Sequence, residues 1–212
     1  MKEILICGSG KFAREVYWWV INSQEALGIR FKGFLDVSND KLKGHKLEEF
    51  YINSESNHNF SPNEYVIIAI SEPLLRSKIY DKLHSKGIQF YNFIHPSVII
   101  GGDVGFGEGN IICPNVVLTT DINIGNCNIF NLCGTVGHDV KIGSFNTFSS
   151  HFDITGNVQI GDLNYSGSRV SFLPYCKIGN NNQISAGSVV FKGVKNDSLL
   201  LGNPAKKIGN NL

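Results

Sequence analysis

The chain contains no run of 18 apolar residues, which leaves it without a candidate membrane-spanning helix. Its first ten residues, MKEILICGSG, lack the long apolar core of a secretory leader and read as a strand entering a turn, so a cytoplasmic location is expected. An excess of either charge is missing as well. The 19 Lys and Arg against 18 Asp and Glu leave +1, too little for a field that would draw nucleic acid or an anionic membrane. The cysteines are five, an odd number, and none of Cys7, Cys113, Cys127, Cys133 and Cys176 forms a C-x₂₋₄-C pair. That speaks against zinc and disulfide frameworks and for reduced, mostly buried thiols. Glycine alone is abundant, with 23 residues, most of them beyond position 100. Two unlike halves are implied.

The second half repeats. Every sixth residue from Ile94 to Val190 is large and apolar in sixteen of seventeen cases, Ser166 being the exception, where 42% apolar composition would give about seven. A period of six suits neither a helix of 3.6 nor a plain strand of two, and means a short flat strand, a corner and another strand. The pattern apolar-Gly-x-x-Asn recurs every 18 residues as FGEGN (106–110), IGNCN (124–128), IGSFN (142–146), IGDLN (160–164) and IGNNN (178–182). Three hexads therefore close one coil, and Asn110, Asn128, Asn146, Asn164 and Asn182 are expected to stack as a hydrogen-bonded ladder. Glycine is expected to turn the corners, because it accepts backbone angles other residues avoid. The result is a triangular prism over residues 94–195, close to six coils, with aliphatics inside and no interrupting loop.

Residues 1–93 alternate strand and helix, which predicts a small parallel α/β sheet of Rossmann-like kind. EILICG (3–8) is an apolar strand, GSGKFAREV (8–16) a Gly-rich turn into a helix, and FKGFLD (31–36) a second strand ending in Asp36. EYVIIAI (64–70) is a buried strand, 74–87 an amphipathic helix closed by Gly87, and IQFYNFI (88–94) a last strand. The polar segment 38–63 reads as a loop-rich connection. Gly8-x-Gly10-x-x-Ala13 after a strand matches a dinucleotide fingerprint. Yet fewer than a hundred residues precede the repeat, and a nucleotide sugar, its phosphates on the helix N-terminus, fits that length better. Residues 196–212 form a tail.

One constellation in the coil carries chemistry. His138 follows Gly137 at an outward place in its hexad and precedes Asp139, and an imidazole beside a carboxylate suits a general base near neutral pH. From spacing alone, a surface histidine without a role is the favoured reading.

GSGKFAREV, FLD, IIAI, the stretch from Asn131 to HDVKIG, GNVQIG (156–161) and GNPAKKI (202–208) occur in an order that resembles the NeuD-type sugar acetyltransferases of the hexapeptide-repeat superfamily. That resemblance implies a left-handed parallel β-helix behind the α/β domain. It further implies acetyl transfer from acetyl-CoA to a sugar in bacterial surface-glycan biosynthesis, with active sites between the subunits of a homotrimer. It makes His138 the base and Asp139 its tuning partner. The acceptor side then falls to Gly8, Gly10, Lys11, Phe12, Asp36, Ile70 and Asn131, and the CoA side to Gly156, Gly167, Ala186, Gly202, Pro204 and Lys206. Thr147 stands where some members carry a second histidine. Amine and hydroxyl acceptors, as in sialic-acid O-acetylation, both stay open, as does a different acyl-CoA donor. A zinc hydratase similar to γ-class carbonic anhydrases needs three converging histidines with an H-x₄-H pair. Only His138 and His151, 13 apart, lie beyond the junction residue His95, so no metal is expected. An ice-binding β-helix would show repeated Thr arrays, which the sequence lacks.

Overall fold

The computed structural model describes residues 1–211. The apolar, β-branched run at the start makes strand β1 (Lys2–Cys7), and the turn after it opens helix α1 (Lys11–Leu27), which Gly28 closes in the left-handed region at φ 62°. Strand β2 (Ile29–Leu35) follows, then β3 (Tyr51–Asn53), β4 (Glu64–Ile68), helix α2 (Pro73–His84) and β5 (Gln89–Phe90). The five strands are all parallel in the order β3-β2-β1-β4-β5. Alternation along β1 divides the core between two faces. Ile4 and Ile6 pack with Ala13, Val16 and Val20 of α1, and Leu5 and Cys7 with Tyr80 and Leu83 of α2.

Two expectations need correction here, and one gains detail. The segment 38–63 is loop-rich, but Glu48–Phe50 forms a 3₁₀ turn and Tyr51–Asn53 adds the edge strand β3. Helix α2 ends at His84 and not at Gly87, although Gly87 does take a left-handed φ of 73°. The stretch 88–94 is two strands: β5 completes the first sheet, whereas Phe93–Ile94 pairs with Ile111–Ile112 and starts the coil.

From there the chain winds as a left-handed parallel β-helix with three flat sheets. One face holds Phe93–Ile94, Ile111–Ile112, Ile129–Phe130, Thr147–Phe148, Tyr165–Ser166 and Gln183–Ile184, and Leu199–Leu200 continues it. A hairpin of Leu199–Gly202 with Ala205–Gly209 ends it. The every-sixth residues from Ile112 to Val190 are buried as expected, Ser166 included, while Ile100 at the open first rung is 41% exposed. A second inward row escaped the hexad pattern: Val116, Ile122, Val140, Phe152, Val158 and Val170 also face the core.

The asparagine ladder forms. Asn110, Asn128, Asn146, Asn164 and Asn182 are buried, and each side-chain oxygen accepts the backbone and side-chain N–H of the next asparagine at 2.8–3.1 Å. The side-chain N–H of Asn110, Asn128, Asn146 and Asn164 also donates to a glycine carbonyl of the following coil. Asn92 extends the ladder below and the Ser198 amide above.

The repeated glycines act differently from the expectation. Left-handed φ values, 50–71°, fall at every sixth residue from Asp103 to Gly187, two places after the glycine position, and thirteen of these fifteen residues are not glycine. The glycines serve close approach instead. A Cβ on Gly107, Gly125, Gly143 or Gly161 would come within 2.7–2.9 Å of the backbone of the glycine one coil on. No real Cβ sits that near, so a glycine column lets the coils stack at β-sheet spacing.

Candidate active site

The sheet domain packs against one face of the coil, and a cleft of about 730 Å³ opens along the seam. The strand-to-helix turn after β1 supplies Gly8, Ser9, Gly10, Lys11 and Phe12, the end of β2 supplies Asp36, and the β4–α2 turn supplies Ile70 and Ser71. The coil closes the far side with Asn131, Thr147, Ser149 and Tyr165. Asp36 organises the turn. Its Oδ2 accepts the Ser9 amide at 2.9 Å and the Ser9 hydroxyl at 2.5 Å, and its Oδ1 accepts the Val37 amide at 2.7 Å. Gly10 caps α1 without a side-chain bond, so the first-turn amides and the positive end of the helix dipole face the cleft unneutralised by a cap. Lys11 and Lys41 add positive charge at the rim, with Lys41 Nζ 3.7 Å from Asp36. A phosphate-bearing ligand matches that end of the cleft.

His138 lies elsewhere. On its coil, Asn131 sits at the corner after the Ile129–Phe130 strand, and His138 at the next corner, after Thr135–Val136. The His138 side chain is 60% exposed, and Nδ1 lies 2.8 Å from Asp139 Oδ2. Asp139 takes the left-handed corner position at φ 58°, which turns its carboxylate back onto the preceding ring. With Nδ1–H donating to that carboxylate, Nε2 is left as a free acceptor. The ring rests on the next coil at Gly156, where a Cβ would come 2.6 Å from Nε2, so only glycine leaves room for the imidazole. Buried thiols are poor rivals. Burial raises the pKa of Cys7, Cys113, Cys127 and Cys176, Cys127 to about 12, and holds them protonated.

Comparison with known proteins bears on this arrangement. Residues 3–83 match the PglD N-terminal domain. Among solved structures the chain is similar to WeeI from Acinetobacter baumannii AYE, at 28% identity and TM-score 0.86, covering 98% of this chain and 100% of that one. It is also similar to a histidine-to-asparagine variant of perosamine N-acetyltransferase from Caulobacter crescentus, solved with CoA and GDP-perosamine, at 25% identity and TM-score 0.85, covering 99% and 98%. The chain is an acyltransferase whose first domain matches the PglD N-terminal model. The acetyltransferase domain of PglB from Neisseria gonorrhoeae FA1090, at 21% identity and TM-score 0.87 over 98% and 100%, shares the fold. No curated protein sequence matches the chain.

Within this fold the expected site residues fall into groups. All seven residues expected on the acceptor side, Gly8, Gly10, Lys11, Phe12, Asp36, Ile70 and Asn131, line the one cleft at the seam. His138, Asp139 and Gly156 gather at the next corner. Gly167 and Ala186 stack against each other on the Asn131 corner in later coils, with 2.6 Å from a Gly167 Cβ to the Ala186 amide. Gly202 donates its amide to Ser188 at 3.1 Å, and Pro204 borders a separate hollow with Lys192, Lys195 and Lys207. Within one chain, then, His138 does not line the cleft. No group of three or more His, Cys, Asp or Glu side chains among the described residues is placed to hold a metal. No helix among them is long and apolar enough to cross a membrane. Sequence reasoning missed Ser9, whose hydroxyl and amide hold Asp36, and Arg76, which fastens α2 to the coil.

Proposed function

We propose that the protein transfers the acetyl group of acetyl-CoA to the amine of a nucleotide-linked amino sugar, with His138 as general base. The imidazole carries this reading. Asp139 fixes the tautomer, Nε2 is left without a hydrogen-bond partner, and Gly156 makes room for the ring to lie in that position. The nucleotide occupies the cleft with its phosphates at the uncapped start of α1, beside Gly8, Gly10, Lys11 and Phe12. Asp36 shapes that turn, and Ile70 and Asn131 flank the sugar. The amine nitrogen attacks the thioester carbon as His138 Nε2 takes its proton. The C–N bond forms, the C–S bond breaks, and the proton passes on to the departing CoA sulfur. Backbone N–H groups along the Gly156 corner stabilise the oxyanion. Gly167, Ala186, Gly202 and Pro204 make a side-chain-poor path for the pantetheine arm, and Lys206 meets phosphate.

An amine acceptor is preferred because the 25%-identical relative is a perosamine N-acetyltransferase solved with GDP-perosamine. Crystals of that relative with a histidine replaced by asparagine or alanine kept both CoA and GDP-perosamine bound. A histidine needed for turnover and dispensable for binding would behave that way.

Because His138 and Asn131 occupy different corners of one chain, the complete site needs the His138 corner of one copy against the Asn131 corner of another. A ring of three joins two unlike corners in this manner, with a heterologous interface that closes. Free cysteines, four of them buried, suit a cytoplasmic setting.

Thiol release from acetyl-CoA, measured with a panel of UDP-, GDP- and dTDP-linked amino sugars and with sialic acid, tests the reading. Release with an amino sugar is expected. Release with sialic acid alone would replace it with O-acetylation, and silence across the panel would refute both. Light scattering should give three times the chain mass.

A further inference from the structure

Arg76 is fully buried, and every hydrogen bond of its guanidinium goes to a neutral acceptor. Nε donates to the Cys127 carbonyl at 2.8 Å and Nη1 to the Ile70 carbonyl at 2.6 Å. Nη2 donates to the carbonyls of Phe145 and Asn146 at 2.8 and 3.1 Å and to the Thr147 hydroxyl at 3.0 Å. Thr147 passes the contact on, donating its own proton to the Ser71 carbonyl at 2.7 Å.

Those acceptors come from three separate pieces of backbone: the β4–α2 turn, one coil, and the coil after it. Cys127 and Phe145 occupy left-handed corner positions, where the chain turns and a carbonyl is available to an outside donor. Burying a cation without a hydrogen-bonded counter-charge costs stability, and burial pulls this guanidinium down to about 10 although the Glu72 carboxylate acts the other way. Apolar side chains would hold α2 to the coil more cheaply. What a rigid, planar fork adds is fixed geometry between three segments at once. Ile70 and Ser71 lie on one wall of the cleft and Thr147 on the other, so the fork spans the base of the seam.

We propose that Arg76, acting through Thr147, is a positioning residue that sets the gap between the two walls of the acceptor cleft. Only the identity of the occupant rests on the function proposed above. The CoA residues at the His138 corner and in the tail make none of these bonds, so CoA binding should not depend on the fork.

The test uses Arg76→Met, Arg76→Lys and Thr147→Val in the full chain. Amide hydrogen exchange over residues 69–75 is read alongside calorimetric affinities for UDP, GDP, dTDP and CMP, and separately for CoA. Exchange at 69–75 should rise in Arg76→Met and Arg76→Lys. Affinity for the preferred nucleotide should fall roughly 10- to 100-fold while CoA affinity holds, the scale expected when a binding wall moves by about 1 Å. Thr147→Val should shift both readings the same way by less. Unchanged exchange at 69–75 overturns the proposal, and Thr147→Val decides should Arg76→Met prove insoluble. Equal losses for nucleotide and CoA overturn it too, as does full rescue by lysine, which keeps the charge without the fork. If the unaltered protein binds no nucleotide and releases no thiol while exchange still rises, the proposed function fails and the positioning role stands.

Discussion

Both halves of the molecule run their strands in parallel, yet they hold those strands apart by different means. In the sheet, unlike side chains from one strand pack two separate faces, Ile4 and Ile6 under α1 and Leu5 and Cys7 under α2. In the coil, one axial core runs the length of the prism, and spacing is enforced by a glycine column and a ladder of carboxamides. Shape complementarity specifies the first and repeated exclusion the second. The consequence is functional. A repeated frame can leave one outward side chain exposed, as at His138, while the irregular domain builds a concave cleft.

The sharpest way to separate the two is to remove the imidazole proposed as the base. On that proposal His138→Ala should lower turnover roughly 10²- to 10⁴-fold in the thiol-release assay with nucleotide affinity unchanged, since His138 is not among the residues that line the cleft. Next comes the ladder. Asn164→Ala strips the partners of Asn182 and of the Gly179 carbonyl and should cost about 2–4 kcal/mol in urea denaturation. Gly143→Ala puts a Cβ 2.2 Å from Asp162 Oδ1 and 2.8 Å from the Gly161 backbone, and should cost about 2 kcal/mol by the same measurement. Leu163→Gly, at φ 61°, should change stability by no more than about 1 kcal/mol, relief of backbone strain offsetting lost chain entropy. A large loss at Leu163 and none at Gly143 would reverse the account of the glycines.

The sheet side has its own probe. Burial would raise the pKa of Glu64, but bonds from Lys32, the Ser61 amide and His58 outweigh it and hold the carboxyl below its ordinary value. A depressed pKa gives stability that is present above the unfolded value, about 4.3, and lost as pH falls through the folded one. The stability gap between the natural protein and Glu64→Gln should therefore be wide at pH 7 and close below pH ~4, as followed by thermal unfolding.

The prism was legible because each coil repeats one small set of demands: an apolar residue every sixth place and an asparagine every eighteenth. The left-handed corners were harder to see, since Phe145, Leu163, Arg169 and Tyr175 hold them against their own preference. Stacking of the coils imposes that conformation. A signal was present nonetheless, because Asp103, Asn115, Asp121, Asp139, Asn157 and Asn181 are the residue types that tolerate it best. The cleft was legible at the Gly8–Ala13 turn and Asp36, which share a strand-turn-helix grammar, but not at Arg76. A lone arginine on an amphipathic helix reads as surface charge. Its phase with Tyr80 and Leu83, both buried, was the available clue. Edge strand β3 hid inside a polar segment, where three residues carry too little pattern to register.

The asparagine ladder also governs how such a protein can change size. From Asn92 to Asn182 each rung hands its bonds to a residue 18 places on, and only the last, from Asn182 to the Ser198 amide, closes over 16, so within the ladder a coil of another length would leave a buried carboxamide facing the wrong neighbour. Between Asn92 and Asn182 the prism can therefore grow or shrink only by whole turns, each about 4.8 Å tall. The distance from the His138 corner to the terminal hairpin is thus quantised, a ruler that comes in fixed lengths and holds whichever one it has.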